Sequence, residues 1–357
     1  MVKRVGILTG GGDCPGLNAV IRGAVRTLIR EYKCEVVGIE LGFEGLMQGR
    51  GYPMTLDTIR GILHKGGTLL RTSNRGNPFD YPSKDDPKVR EDRSGECLEN
   101  CRRMGIDALI AIGGEGTLKI ADRMGDLGFP IVGVPKTIDN DVRHTDFSFG
   151  FQTAVSIATE AIDRLHTTAE SHNRVMVLEV MGRHVGWIAL YSGIAGGADI
   201  ILIPEIPYKP EEIAKKIRLR QSRGQQFDIV VVAEGAKRAG GGEVWADQGT
   251  KRLGGVAFQV AEEIGALTDL EVRVTVLGHI QRGGSPEAID RVWSTLYGNR
   301  AADFVAEGMW GMMTALQNGE IVPIPIKDAI GQLNTVSPDG PLIRTARALG
   351  ISFADGR

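Results

Sequence analysis

Short apolar runs recur along the chain, and each stops abruptly at a glycine or a charged side chain. Runs that are apolar on both faces are the pattern of strands buried inside a parallel sheet. They occupy residues 4–9, 35–41, 107–113, 130–134, 174–181, 199–205, 227–233 and 271–277. Helical periodicity fills the gaps. After Asn18, Val20, Ala24, Leu28 and Ile29 fall on one face, and comparable patterns run over 152–168, 209–223 (opened by Pro210), 254–265 and 286–306. A short helix is expected over 55–63, a charged surface excursion over 81–93, and one weak helix in the tail. Strands alternating with helices of this length predict an α/β fold, two doubly wound αβα lobes with mostly parallel sheets. Breaks near 146–150 and 283–286 divide the chain into one lobe of 1–147 with about 284–320 and another of 148–283, leaving 321–357 as a C-terminal extension.

A chain of 357 residues exceeds the size at which one core usually stops growing, which agrees with two lobes. Hydrophobic residues at 42% and charged ones at 24% exclude a disordered chain, and no run approaches a membrane span. The basic start of the chain has too short an apolar stretch for a signal peptide. Glycine is the outlier: 49 residues is almost twice the usual share of about 7%, without the period of a fibre. The excess points to tight turns and to backbone lying close against a ligand. A net charge of −2 provides no general attraction to nucleic acid or anionic lipid, so any anion must be gripped locally. Cys14, Cys34, Cys97 and Cys101 lack zinc spacing and read as free thiols of a reducing cytoplasm.

The candidate chemistry lies where strands stop. In an open parallel sheet, ligands sit beyond the carboxyl ends of the strands. Glu115, Asp139, Asp141, Arg183, Glu234, His279 and Arg282 all occupy that address. The loop Gly10–Asn18 serves equally as a tight turn or as a phosphate cradle at a helix N-terminus, and the loop over 68–78 adds Arg71 and Arg75. Arginines and a histidine suit phosphate; carboxylates suit Mg²⁺ and proton abstraction. Phosphoryl transfer needs these parts, because positioning and charge neutralisation dominate its catalysis.

Five segments carry a resemblance to a known family: Gly11-Gly12-Asp13-Cys14-Pro15-Gly16-Leu17-Asn18, Gly113-Gly114-Glu115-Gly116-Thr117, Pro135-Lys136-Thr137-Ile138-Asp139-Asn140-Asp141, Met181-Gly182-Arg183, and Leu277-Gly278-His279-Ile280-Gln281-Arg282-Gly283-Gly284. In this order, over about residues 1–310, the chain resembles the 6-phosphofructokinases. The resemblance implies a nucleotide-binding first lobe, a fructose 6-phosphate-binding second lobe, and transfer of the γ-phosphoryl of ATP to O1 of the sugar. It implies Asp139 as base, with Gly11, Arg75 and Arg183 as its catalytic companions. Gly11, Arg75, Gly114, Glu115, Gly116 and Thr117 would meet the nucleotide, with Glu115 on Mg²⁺. Thr137, Ile138, Asp139, Met181, Gly182, Arg183 and Glu234 would surround the sugar, Arg174, Arg273, His279 and Arg282 would grip its 6-phosphate, and Ile280 and Gln281 would belong to the same substrate site. In the family, residues matching Arg174 and Arg273 come from a neighbouring subunit, which implies at least a homodimer and usually a homotetramer in the cytoplasm, with no nucleic-acid or membrane partner.

Two positions bear on the phosphoryl donor. The pyrophosphate-using branch typically has Asp where this chain has Gly116, and Lys where it has Lys136; the ATP-using branch typically has Gly at both. An aspartate at 116 would put bulk and charge where the α-phosphate lies, so Gly116 favours ATP. Lys136 keeps pyrophosphate as the alternative. A non-catalytic sugar-phosphate-binding regulatory subunit is a further alternative, against which Asp139 and Glu115 argue, since binding alone needs neither a base nor a metal ligand. Arg22 and Arg26 match effector-binding arginines of allosteric relatives and equally suit a polar helix face, while Arg223-Gly224-Gln225-Gln226-Phe227 departs from the relatives' lysine-rich effector loop.

Overall fold

The computed structural model describes residues 2–83, 85–247 and 252–357. Strand β1 (Arg4–Gly10) is buried along almost its whole length and breaks at glycines into helix α1 (Leu17–Arg30). Next come β2 (Glu35–Ile39), the short helix α2 (Gly42–Met47), β3 (Gly51–Met54), the two-residue strands β4 (Tyr81–Pro82) and β5 (Arg90–Glu91), and α3 (Ser94–Arg103). Two strand–helix steps follow, β6 (Ala108–Gly113) with α4 (Glu115–Asp126) and β7 (Ile131–Pro135) with α5 (Phe151–His172). The pattern then repeats through β8 (Val175–Val180), α6 (Trp187–Ala195), β9 (Ile200–Leu202), α7 (Pro210–Ser222) and β10 (Asp228–Ala233). A hairpin of β11 (Trp245–Asp247) and β12 (Arg252–Leu253) leads into α8 (Val256–Leu267) and β13 (Val272–Val276). A 3-10 turn (Gly278–Arg282) precedes α9 (Ala288–Glu307), β14 (Met312–Gln317), β15 (Glu320–Pro325), α10 (Ile326–Ala329) and α11 (Pro341–Ala348).

Two compact units result: the chain up to Gln152 with Arg282–Leu333, and Thr153–Gln281 with Asn334–Arg357. The first holds a seven-stranded sheet in the order β15-β14-β7-β6-β1-β2-β3, antiparallel only at its edges, where β3 pairs with β2 and β15 with β14. The second holds the all-parallel sheet β13-β8-β10-β9. Both are mostly parallel sheets flanked by helices, the α/β architecture that the alternating runs predict. Within the first unit, α1 and α9 pack through two glycines. A Cβ on Gly23 would stand 2.6 Å from the Thr295 carbonyl oxygen, and one on Gly298 would stand 2.1 Å from that of Val20.

Several expectations need correction. Residues 55–63 form successive turns: Thr55 and Thr58 exchange side-chain and backbone hydrogen bonds, which competes with a helical ladder, and Gly61 sits at φ +72. The tail is not a separate extension. β15 is a sheet edge, where Pro323 and Pro325 forfeit no ladder bond in the interior, and the chain beyond Asn334 packs into the second unit through Ile201 N to Ser352 O at 2.9 Å and Lys209 N to Ala354 O at 2.8 Å. The divisions fall at Gln152/Thr153 and Gln281/Arg282. All four cysteines are buried, and burial pushes the thiols of Cys14, Cys97 and Cys101 up to about 12, which leaves them unreactive.

Candidate active site

In the first unit, the carboxyl ends of β1, β6 and β7 come together because these strands are sheet neighbours. Thr117, in the first turn of α4, packs across two of these ends. A Cβ on Gly10 or Gly113 would lie 2.5 or 2.4 Å from its Oγ1, so only glycine lets the helix approach this closely. Gly11 takes φ +77 and turns the chain toward the 68–77 loop. That loop is pinned over it: Thr72 Oγ1 donates to Gly11 O at 2.5 Å, and Gly11 N donates to Ser73 O at 3.3 Å. Gly11 therefore offers room, while its amide and carbonyl are engaged by the loop. Between these parts lies a cavity of about 320 Å³ lined by Gly10, Gly11, Ser73, Asn74, Gly116 and Thr117. A Cβ on Gly116 would meet nothing within 4 Å, so this wall is open. Arg75 is exposed beside it and makes no ion pair among the described residues.

Glu115 opens α4, where its charge complements the helix dipole. Its Oε1 accepts from Gly331 N at 2.9 Å and pairs with Lys119 Nζ at 2.9 Å. Among the described residues no three His, Cys, Asp or Glu side chains converge on a metal position. One carboxylate beside this cavity would fit Mg²⁺ carried in on a nucleotide, which takes one or two carboxylates and fills its octahedron with phosphate and water oxygens.

The end of β7 is rigid. Thr137 Oγ1 accepts from Asp139 N at 3.0 Å, Ser148 Oγ donates to Thr137 O at 2.7 Å, and Ser148 N donates to Asn140 Oδ1 at 2.9 Å. Ile138 is buried in the core, so only its backbone faces the loop. Asp139 Oδ1 is buried and has no hydrogen-bond partner among the described residues. Burial, and then the neighbouring Asp141, push this carboxyl up to about 6, against the pull of Arg282 and Lys136. Lys136 is itself 4% exposed and donates through Nζ to Gly12 O, and burial lowers the pKa of its ammonium. Arg282 donates to Asp13 O at 3.3 Å and lies 2.7 Å from where a Cβ on Gly12 would stand. Its guanidinium thus rests on the glycine loop, on the Asp139 side.

In the second unit, neighbouring strands β8 and β10 end together: Glu234 N donates to Val180 O at 2.9 Å and Gly235 N to Gly182 O at 3.1 Å. Gly182 needs φ +137, and a Cβ on Gly235 would stand 2.0 Å from Arg183 O. Arg183 projects outward, 5.9 Å from the ring of Trp245, a neighbour that no sequence pattern singled out. His279 and Ile280 are exposed. Gln281 is not available to a ligand: it is fully buried, accepts from Met181 N at 2.7 Å, and donates to Ala154 O at 3.3 Å. It orients Met181 instead. Arg174 and Arg273 share Glu271 at the amino ends of β8 and β13, with Arg174 Nε 2.6 Å from its Oε2. At about 3.3 Å per strand residue, β8 holds Arg174 roughly 20 Å from Arg183, so one chain does not unite them. Phe43 and Ile120 also line the cavity beside Gly116; Phe43 comes from α2, which the sequence pattern does not announce.

A family model described as "Phosphofructokinase" matches residues 4–305. An ATP-dependent 6-phosphofructokinase of Chloroflexus aurantiacus is 52% identical over 358 residues, covering 99% of this chain and 98% of its own. A pyrophosphate–fructose 6-phosphate 1-phosphotransferase of Streptomyces coelicolor is 50% identical, covering 94% and 96%. Among solved structures, phosphofructokinase from Saccharomyces cerevisiae matches 99% of this chain with a TM-score of 0.78 and 31% identity, and this chain spans 47% of that one.

Proposed function

This chain belongs to the phosphofructokinase family, and on that premise we propose that it transfers the γ-phosphoryl of ATP to O1 of fructose 6-phosphate, giving fructose 1,6-bisphosphate. The observation that carries this reading is the buried, unpartnered Oδ1 of Asp139 at a strand end that adjoins the glycine-walled cavity. An acceptor with no donor of its own is suited to take a proton from a sugar hydroxyl. With its pKa raised to about 6, the carboxylate is a stronger base than an ordinary aspartate and is still mostly ionised at neutral pH.

The nucleotide phosphates would lie along Gly114, Gly116 and Thr117 at the start of α4, where free amides and the helix dipole favour anions. Arg75 would reach the group in transfer from the loop pinned over Gly11. Mg²⁺, held by Glu115, would neutralise charge on the phosphate oxygens when bound. On the acceptor side, Thr137, the Ile138 backbone, Met181, Gly182, Arg183 and Glu234 would hold the sugar, and His279 and Ile280 its phosphate end, with Arg282 acting from beside Asp139. Arg174 and Arg273 would serve a second copy of the chain, an assignment supported by their place at the far end of β8 and β13. The working form is then at least a homodimer, and a homotetramer in the fuller reading. No described helix is long and apolar enough to cross a membrane, and we place the enzyme in the cytoplasm.

Two features support ATP over pyrophosphate as donor. The space beyond Gly116 is open, and the buried Nζ of Lys136 is already committed to Gly12 O. Pyrophosphate is the second reading, favoured by the presence of Lys136 in this cluster and by the Streptomyces relative. The test is fructose 1,6-bisphosphate formation from fructose 6-phosphate and Mg²⁺, with ATP and pyrophosphate supplied in parallel. Product with ATP alone is expected. Product with pyrophosphate alone reverses the donor, and product with neither leaves a sugar-phosphate-binding regulatory protein.

A further inference from the structure

Glu205 is a half-buried acid that the phosphoryl-transfer chemistry does not use. It follows β9 in the second unit, where Ile206 N donates back to Ile203 O at 3.2 Å. Its Oε1 accepts two backbone amides, Gly186 N at 3.1 Å and Val336 N at 2.9 Å. Its Oε2 is buried with no partner among the described residues, and burial raises the pKa of the carboxyl. Both of its amide donors matter to the site. Gly186 closes the turn that begins at Gly182 and presents Arg183, and Val336 belongs to the C-terminal segment, 2% exposed.

The turn is braced from two directions. On one side Gly235 lies against the Arg183 carbonyl, so close that a Cβ would stand 2.0 Å away. On the other, Gly186 lies on Ile203 and Glu205: a Cβ there would stand 2.3 Å from Ile203 Cβ and 3.0 Å from Glu205 Oε2. The next residue repeats the connection to the tail, since Trp187 Nε1 donates to Asn334 O at 2.7 Å. The C-terminal segment is therefore tied to the Arg183 turn through one carboxylate and one indole. A carboxylate acceptor makes each amide bond stronger than a neutral oxygen would.

We propose that Glu205 is a positioning residue for Arg183, clamping the Gly182–Gly186 turn to the C-terminal segment so that the guanidinium is held ready for the sugar phosphate. The proposal rests on the assignment of Arg183 to fructose 6-phosphate. Glu205→Ala is expected to raise KM for fructose 6-phosphate about tenfold while kcat and KM for ATP stay within about twofold, the signature of lost substrate positioning. In an Arg183→Ala background the same change is expected to add nothing to KM, because its effect passes through the missing side chain. A full, additive effect in that background, or parallel rises in both KM values, would overturn the clamp. An Arg183→Ala enzyme with unchanged KM would instead overturn the role of Arg183 itself. Should Glu205→Ala not fold, as judged by circular dichroism, Trp187→Phe removes only the indole bond. It is expected to raise KM for fructose 6-phosphate alone; an unchanged KM there would also count against the proposal.

Discussion

Replacing Asp139 with asparagine is expected to remove turnover and, at the same time, to make the protein harder to melt. The two effects have one cause, a carboxylate kept ionised where water cannot reach its Oδ1. With a pKa pushed up to about 6, the wild-type base is about nine-tenths ionised at pH 7 and about one-tenth at pH 5. The acid limb of kcat/KM for fructose 6-phosphate should therefore bend near pH 6 and fall about tenfold per unit below it. Asparagine cannot take the proton at any pH, and losing a general base costs roughly 10²–10⁴ in rate. The stability term has the opposite sign. Relative to an unfolded carboxyl near 3.9, a shift of about two units is at most about 3 kcal/mol against the folded, ionised protein, and partial exposure of the residue reduces it to about 1–2 kcal/mol. Because the folded pKa is raised, this stability is present below about pH 4 and is lost as pH rises through about 6. The Asp139→Asn protein should thus melt a few degrees above wild type at pH 8, with the gap narrowing toward pH 5. Scanning calorimetry at the two pH values, beside a coupled assay of fructose 1,6-bisphosphate, reads both arms. Retained turnover would remove Asp139 as the base. Lost turnover with a lower melting temperature at pH 8 would mean that the side chain holds the loop together, and the reasoning from burial would fail.

Three further outcomes test separate parts of the structure. Lys136→Met removes a positive charge that holds the Asp139 carboxyl down, so the acid limb of kcat/KM should move to higher pH; a limb that stays in place would show that the ammonium is not felt there. Arg174→Ala and Asp139→Asn should each be inactive alone, but subunits mixed and reassembled should recover turnover, because a site can then combine the aspartate of one subunit with the arginine of another. Failure of exchanged hybrids to recover any activity would put both residues in one chain's site. Glu179 is 3% exposed on β8 and accepts from Gly255 N at 3.1 Å and Ala257 N at 3.0 Å, satisfying the N-terminus of α8. Glu179→Ala strands those amides and should lower stability by about 2 kcal/mol in urea unfolding, whereas an unchanged midpoint would mean that water replaces the carboxylate.

The chain's own pattern was sufficient for most of what depends on neighbours in sequence, the turns over 55–63 with their Thr55–Thr58 bonds being the exception. Continuous apolar runs mark β1, β6, β7, β8 and β10 because a strand buried on both faces is apolar at nearly every position. The glycines at 10–12, 113, 114 and 116 and the acids after β7 are legible for the same reason: a tight turn beside a ligand restricts each residue locally. Other features were settled only when distant surfaces met. β14 and β15 carry no strong strand signal and find their place as the edge of a sheet whose other strands lie far back in the chain. Gln281 looks like a ligand contact in its motif, yet folding turns its amide inward onto Met181 and Ala154. Phe43 reaches the cavity from a helix too short to show a period, and Trp245 meets Arg183 across the second unit. The direction of Arg174 and Arg273, away from the Arg183 end of their own sheet, and the junction of the tail with the Arg183 turn at Glu205 belong to the same class. Sequence periodicity reports which face of an element is buried. Which element buries it, and which side chains are left facing each other when it does, is decided by packing between segments that are far apart along the chain.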